Sequence, residues 1–68
     1  MVDESIVLAA LDELTEAHRE ILIQTVWLGR SVAEAAEQVG IPVGTVKSRS
    51  YYALRALRHS LDEMGFFT

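Results

Sequence analysis

Sixty-eight residues allow one domain, and a chain this short buries only about 60% of the surface it exposes when unfolded. The chain is 50% hydrophobic and 24% charged, with a formal net charge of −4, the balance of a compact globular unit rather than a disordered tail. The absence of cysteine excludes a disulfide framework and a thiolate metal site, and no apolar run approaches the roughly 20 residues that span a bilayer.

The first residues, MVDESIV, carry no positive charge and do not read as a secretory signal. The expectation is a soluble, cytoplasmic domain of all-α class, residues 1–68, cut from a longer protein. A first helix is expected from about Asp3 to Glu13, capped by Asp3 or Ser5, with Ile6, Leu8, Ala9, Ala10 and Leu11 as a broad apolar side. A second starts near Thr15, a capping residue type, with Glu16 in the first turn, where the helix dipole favours a carboxylate. It runs through Ile21, Leu22, Val26 and Leu28 to Gly29, which suits a left-handed helix end.

The third helix has the clearest start. Ser31-Val32-Ala33-Glu34 matches a capping box, in which each end residue's side chain accepts from the other's backbone N–H. It stops at Gly40, because Pro42 cannot lie inside a helix and disfavours helical geometry at Ile41. The fourth begins at Val43 or Gly44 and reaches as far as Met64. Val46, Ser50, Ala53, Leu54, Leu57 and Leu61 recur at spacings of three and four, the mark of its buried stripe.

Charge is unevenly placed. Residues 1–37 hold eight carboxylates against Arg19 and Arg30, whereas residues 38–61 hold Lys47, Arg49, Arg55 and Arg58 and no carboxylate. Nucleic acid responds to such a local basic stripe, not to the total. Two short helices joined by a glycine-containing turn of three or four residues form the helix-turn-helix pattern, here about residues 31–52. Ala36 is small at the expected crossing, Gly40 accepts positive φ, and Val46 wedges one helix onto the other. The start of the second helix would enter the major groove, with Lys47, Ser48, Tyr51 and Tyr52 facing base edges. Arg55 and Arg58 would meet phosphate or solvent, and the free amides near Gly44 and Thr45 would hold a phosphate. The plainer reading of the same pattern is a helical hairpin with a solvated basic face.

Beyond these motifs, the segment GIPVGTVKSRSYYALRALR resembles the C-terminal promoter-recognition domain, the fourth, of bacterial sigma factors of the extracytoplasmic-function class. The matches are Leu14, Arg19-Glu20, Gly29, Ser31, Glu34, Ala36, the run from Gly40 to Arg49, and Ala53, Leu57 and Arg58, over roughly residues 8–63. The resemblance implies recognition of the upstream, minus-thirty-five promoter element while docked on the β-subunit flap of core RNA polymerase, with an anti-sigma factor as a further partner. It also implies that Lys47, Ser48, Tyr51 and Tyr52 face bases, while Arg30, Thr45 and Arg49 approach phosphate or brace the turn. The chain departs from the pattern at Thr15 in place of proline, at Gln24, Arg30 and Ser50 in place of leucines, at Ala35 in place of isoleucine, and at Tyr52, often a cation.

The second helix is apolar almost all round, so it is either central or part of an interface. Ile23 and Trp27 are the surplus to a central role and, with Phe66 and Phe67 at the end of the chain, are candidate partner-binding residues. His18 and His59 have no ligand at metal spacing beside them, and no nucleophile–base pairing or phosphate-cradling glycine loop is present. No enzyme activity, cofactor or metal is therefore expected. Besides promoter recognition by a domain monomeric on its own, two readings remain: a mainly protein-interaction module, and the helix-turn-helix output domain of a response regulator, which would dimerise through its last helix.

Overall fold

The computed structural model of the chain describes residues 4–66. Four α-helices follow one another: α1 (Glu4–Asp12), α2 (Glu16–Leu22), α3 (Val32–Val39) and α4 (Val43–Glu63). No strand occurs among the described residues, which is the all-α, four-helix class the periodicity calls for. The 21-residue α4 sets the long axis of a molecule 36 Å by 18 Å by 16 Å. The three shorter helices pack along it.

The local start and stop signals act where their chemistry puts them. The Thr15 hydroxyl accepts from the His18 N–H at 3.2 Å and caps α2. At α3 the box is reciprocal: the Glu34 N–H donates to Ser31 Oγ at 3.1 Å, and the Ser31 N–H donates to Glu34 Oε1 at 2.9 Å. Hydrogen bonding to the Ser31 backbone N–H first and to the Ser31 side chain second, with a smaller contribution from the Arg30 charge, holds the Glu34 carboxyl below its ordinary value of 4.5. A folded pKa lowered in this way adds stability that is present above about 4.5 and is lost as pH falls through the lower folded value. Thermal melts followed by circular dichroism should therefore show a steeper loss on acidification for the native chain than for Glu34→Gln. The glutamine keeps the hydrogen bond but does not titrate.

Gly40 ends α3 with φ +79°, and its N–H and that of Ile41 both donate to the Ala36 carbonyl, at 2.8 and 3.1 Å. A Cβ built on Gly40 meets nothing within 4 Å. Gly40→Ala should accordingly cost about 1–2 kcal/mol from backbone strain alone, read as a lowered denaturation midpoint with an unchanged m-value. Pro42, extended at φ −63° and ψ 152°, then opens α4 at Val43.

Elsewhere the packing departs from the periodic expectation. Ser5 lies inside α1 rather than at its cap, and Asp3 is outside the described residues. The second helix does not continue evenly to Leu28. After Leu22 it widens into a π-helical turn, Ile23–Trp27, in which the Leu28 N–H reaches back five residues to the Ile23 carbonyl at 2.9 Å. Ile23, Thr25 and Val26 are β-branched and crowd the tighter ladder. The Thr25 hydroxyl also donates to the Ile21 carbonyl at 2.8 Å. Along this turn Gln24 and Thr25 are half-buried whereas Ile23, Val26, Trp27 and Leu28 are exposed, so the apolar run after Leu22 does not continue the buried side.

The core comprises Leu11, Leu14, Ile21, Leu22, Ala35, Ala36, Val46 and Ala53. On α4, Val46 and Ala53 are buried as expected and Leu57 and Leu61 partly so, but Leu54 is exposed. It sits at the edge of the stripe, on a side that no other helix covers completely. Leu8 and Ala9 of α1 are exposed as well. Ser50, where the stripe would favour leucine, keeps a buried hydroxyl with no hydrogen-bond partner.

Candidate nucleic-acid interface

The helix-turn-helix is α3, the turn at Gly40–Pro42, and the first half of α4. Ala36 and Val46 are both buried within the core that packs the two helices together, so the residue that wedges the hairpin and the small residue it crosses are where the pattern required them. With Val46 facing inward, a period of 3.6 turns Lys47, Ser48, Tyr51 and Tyr52 to the opposite side of the helix. All four are exposed, Tyr51 at 56% and Tyr52 at 58%. The structure brings these four expected base-facing residues together as one ridge, two turns long.

The ridge has internal order. The Ser48 hydroxyl donates back to the Thr45 carbonyl at 3.3 Å. The rings of Tyr51 and Tyr52 meet edge to face, with centroids 5.2 Å apart and planes at 81°. The Arg55 guanidinium carbon lies 5.7 Å from the Tyr51 centroid, and its Nη1 donates to the Tyr51 hydroxyl at 3.3 Å.

The residues expected at the DNA backbone divide. Gly44 stands exposed at a helix start that has no side-chain cap, the geometry in which a backbone N–H is open to an anion. The Thr45 N–H is already donated to the Pro42 carbonyl at 3.0 Å. Arg49 is half-buried on the flank of α4. Arg30 is half-buried too and braces the turn after α2: its guanidinium donates to Gln24 Oε1, and its N–H donates to the Gln24 carbonyl at 3.0 Å. The departures at Gln24 and Arg30 are thus a matched pair. Six residues of separation and no periodic relation keep that pairing out of sight in the sequence.

A second surface lies beside this ridge. Ile23 is 37% exposed and Trp27 is 50% exposed, and with Leu11, Val26, Leu54 and Leu57 they line an apolar groove between the π-helical turn and α4. Next to it, Glu4, Asp12 and Arg19 border a depression that Ile23 and Trp27 also line. Ile23 and Trp27 are therefore available to a partner. Val26 and Leu54 belong to the same surface, which helical periodicity does not reveal: it places the former in an unbroken helix and the latter in the core. Phe66 is half-buried at the end of the described chain, and Phe67 lies outside the described residues. No described helix is long and apolar enough to cross a membrane.

This helix-turn-helix, fused to a long helix with a basic and aromatic outer ridge, is matched by the family model for sigma-70, region 4, over residues 10–59. The chain belongs to the sigma-70 region 4 family. Among curated proteins, this region 4 domain is similar to the ECF RNA polymerase sigma factor SigL of Mycobacterium tuberculosis, in strains Erdman, CDC 1551 and H37Rv. The identity is 42% over 64 residues, covering 94% of this chain and 36% of SigL. The chain thus spans about a third of the length of the curated relatives it matches. The class to which those relatives belong is the one that the Gly-Thr-Val-Lys-Ser-Arg run resembles.

Proposed function

We propose that this domain recognises the upstream, minus-thirty-five element of a bacterial promoter, as the fourth domain of an RNA polymerase sigma factor of the extracytoplasmic-function class. The observation that carries the reading is the exposed ridge of Lys47, Ser48, Tyr51 and Tyr52 on the second helix of a region 4 helix-turn-helix. Lysine suits guanine acceptors, serine donates or accepts, and tyrosine offers an apolar edge for a thymine methyl together with a hydroxyl. The role is binding rather than catalysis, and it calls for a working protein in the cytoplasm with its promoter. Family membership also weighs against the response-regulator reading.

Its test is a fluorescence-anisotropy titration on duplexes with and without the upstream element, repeated over a range of salt. Preference for the promoter duplex, with log K falling against log salt at about −0.9 per phosphate contacted, supports the proposal. Equal affinity for both duplexes overturns it.

The apolar groove favours a second role for the same domain, docking on the β flap of core polymerase. An exposed apolar surface of this kind marks a contact site, and its occupant in a sigma factor would be the flap, with an anti-sigma factor competing for it. Trp27→Glu should then abolish capture of the flap in a pull-down while leaving duplex binding intact. Undiminished capture would remove the groove from the proposal.

A further inference from the structure

The charge of Arg55 suggests phosphate, yet its contacts lead elsewhere. Tyr51 and Arg55 are one turn apart on α4, the separation at which helix side chains meet. Arg55 Nη1 donates to the Tyr51 hydroxyl at 3.3 Å, the guanidinium carbon is 5.7 Å from the ring centroid, and the Tyr52 ring meets the Tyr51 ring in an edge-to-face contact with centroids 5.2 Å apart and planes at 81°. An exposed tyrosine on a helix would ordinarily sample several rotamers. Here two neighbours hold it.

The hydrogen-bond inventory adds a direction. A tyrosine hydroxyl carries one donor and accepts through its lone pairs, while a guanidinium only donates. Arg55 therefore occupies the accepting side of the Tyr51 oxygen and polarises it, which leaves the hydroxyl proton to be given outward. In the major groove that proton finds partners on guanine, on adenine N7 and on thymine O4, whereas the exocyclic amine of cytosine offers only another donor.

We propose that Arg55 is a positioning residue for promoter reading: it holds Tyr51 as an outward hydrogen-bond donor, so that the base opposite Tyr51 must present an acceptor. The inference rests on the promoter-recognition reading above and assigns Arg55 to specificity rather than to charge neutralisation.

The test combines binding selection from a randomised duplex pool with anisotropy at several salt concentrations, on the native chain, Tyr51→Phe, Arg55→Met and the double variant. Tyr51→Phe and Arg55→Met should relax preference at the same single base position by about five- to tenfold, the double variant should lose no more than either alone, and the salt slope should stay unchanged. Arg55→Lys, which keeps the charge but not the planar fork, should not restore the preference. A slope reduced by about 0.9 in Arg55→Met with preference intact, or relaxation at a different position from Tyr51→Phe, overturns the proposal in favour of a phosphate contact. Side-chain couplings of Tyr51 by NMR supply a readout without DNA: one dominant χ1 rotamer in the native chain should become averaged in Arg55→Met. Identical couplings in the two overturn it. Absence of any sequence preference in the native chain instead falls on the promoter-recognition reading, while the couplings still decide whether Arg55 holds Tyr51.

Discussion

Ile21→Ala should cost about 2–5 kcal/mol of stability, the range for truncating a large aliphatic side chain in a core. Ile21 is 1% exposed, and with Val46 it is one of the two largest side chains that are fully buried. Its neighbours explain why the loss would be felt. Three of the eight buried core residues are alanines, Ala35, Ala36 and Ala53, so a few larger side chains supply most of the apolar burial. None of the alanines has a flexible side chain that can swing into the space left behind. A chain of this length has a total stability of roughly 3–10 kcal/mol at 0.05–0.15 kcal/mol per residue. The substitution thus removes a large share, and at about 4–8 °C per kcal/mol the melting midpoint should fall by about 10–40 °C. Chemical denaturation of Ile21→Ala beside Ile21→Val, for which about 0.5–1.5 kcal/mol is expected, checks the figure. A cost for Ile21→Ala no greater than that for Ile21→Val would mean that the core is not organised around this residue.

Lys47→Glu should leave the fold intact and lower affinity for the promoter duplex about a hundredfold. Lys47 is exposed on α4 and makes no contact within the core, and surface changes of this kind usually move stability by less than about 0.5 kcal/mol. On the proposed reading, its position at the start of the ridge, one turn before Tyr51, places it among the N-terminal residues of the second helix, which contact base edges in helix-turn-helix proteins. Reversal there removes a donor to base acceptors, worth about 1–3 kcal/mol in discrimination, and sets a carboxylate in the field of the phosphates. The domain already carries a net charge of −4, so the ridge works against an acidic background and no excess of cations elsewhere can compensate. Anisotropy titrations at fixed salt measure the effect, with melting curves as the control for folding. Binding unchanged by Lys47→Glu would show that α4 is not the reading helix.

These two predictions fall on either side of a division between what is local in the chain and what is not. Thr15, Ser31, Glu34, Gly40 and Pro42 are legible because caps and turns are decided within a few residues. A hydroxyl three positions from an N–H, or a glycine before a proline, meets its partner whatever the rest of the chain does. The outward ridge of α4 is legible for a related reason: once Val46 is inside, the 3.6-residue period fixes the side on which Lys47, Ser48 and Tyr51 emerge.

The sequence by itself determined the four helices, the turn between α3 and α4 and the family to which the chain belongs. Tertiary structure decided the exposure of Leu54, while the π-helical turn at Ile23–Trp27 and the pairing of Gln24 with Arg30 are local features that no sequence pattern announces. A run such as Ile21-Leu22-Ile23 presents apolar groups in every direction, and hydrophobicity cannot choose among them. The choice is made by which sides the neighbouring helices cover: Ile21 and Leu22 lie under α4, while Ile23, Val26 and Trp27 turn outward beside it. Arg55 gives the same lesson at smaller scale. Its charge alone does not say what it touches in the free domain, where a residue one turn away offers its guanidinium a hydroxyl and a ring. Local chemistry thus specified the elements, while the covering of one face by another specified which residues were left for partners.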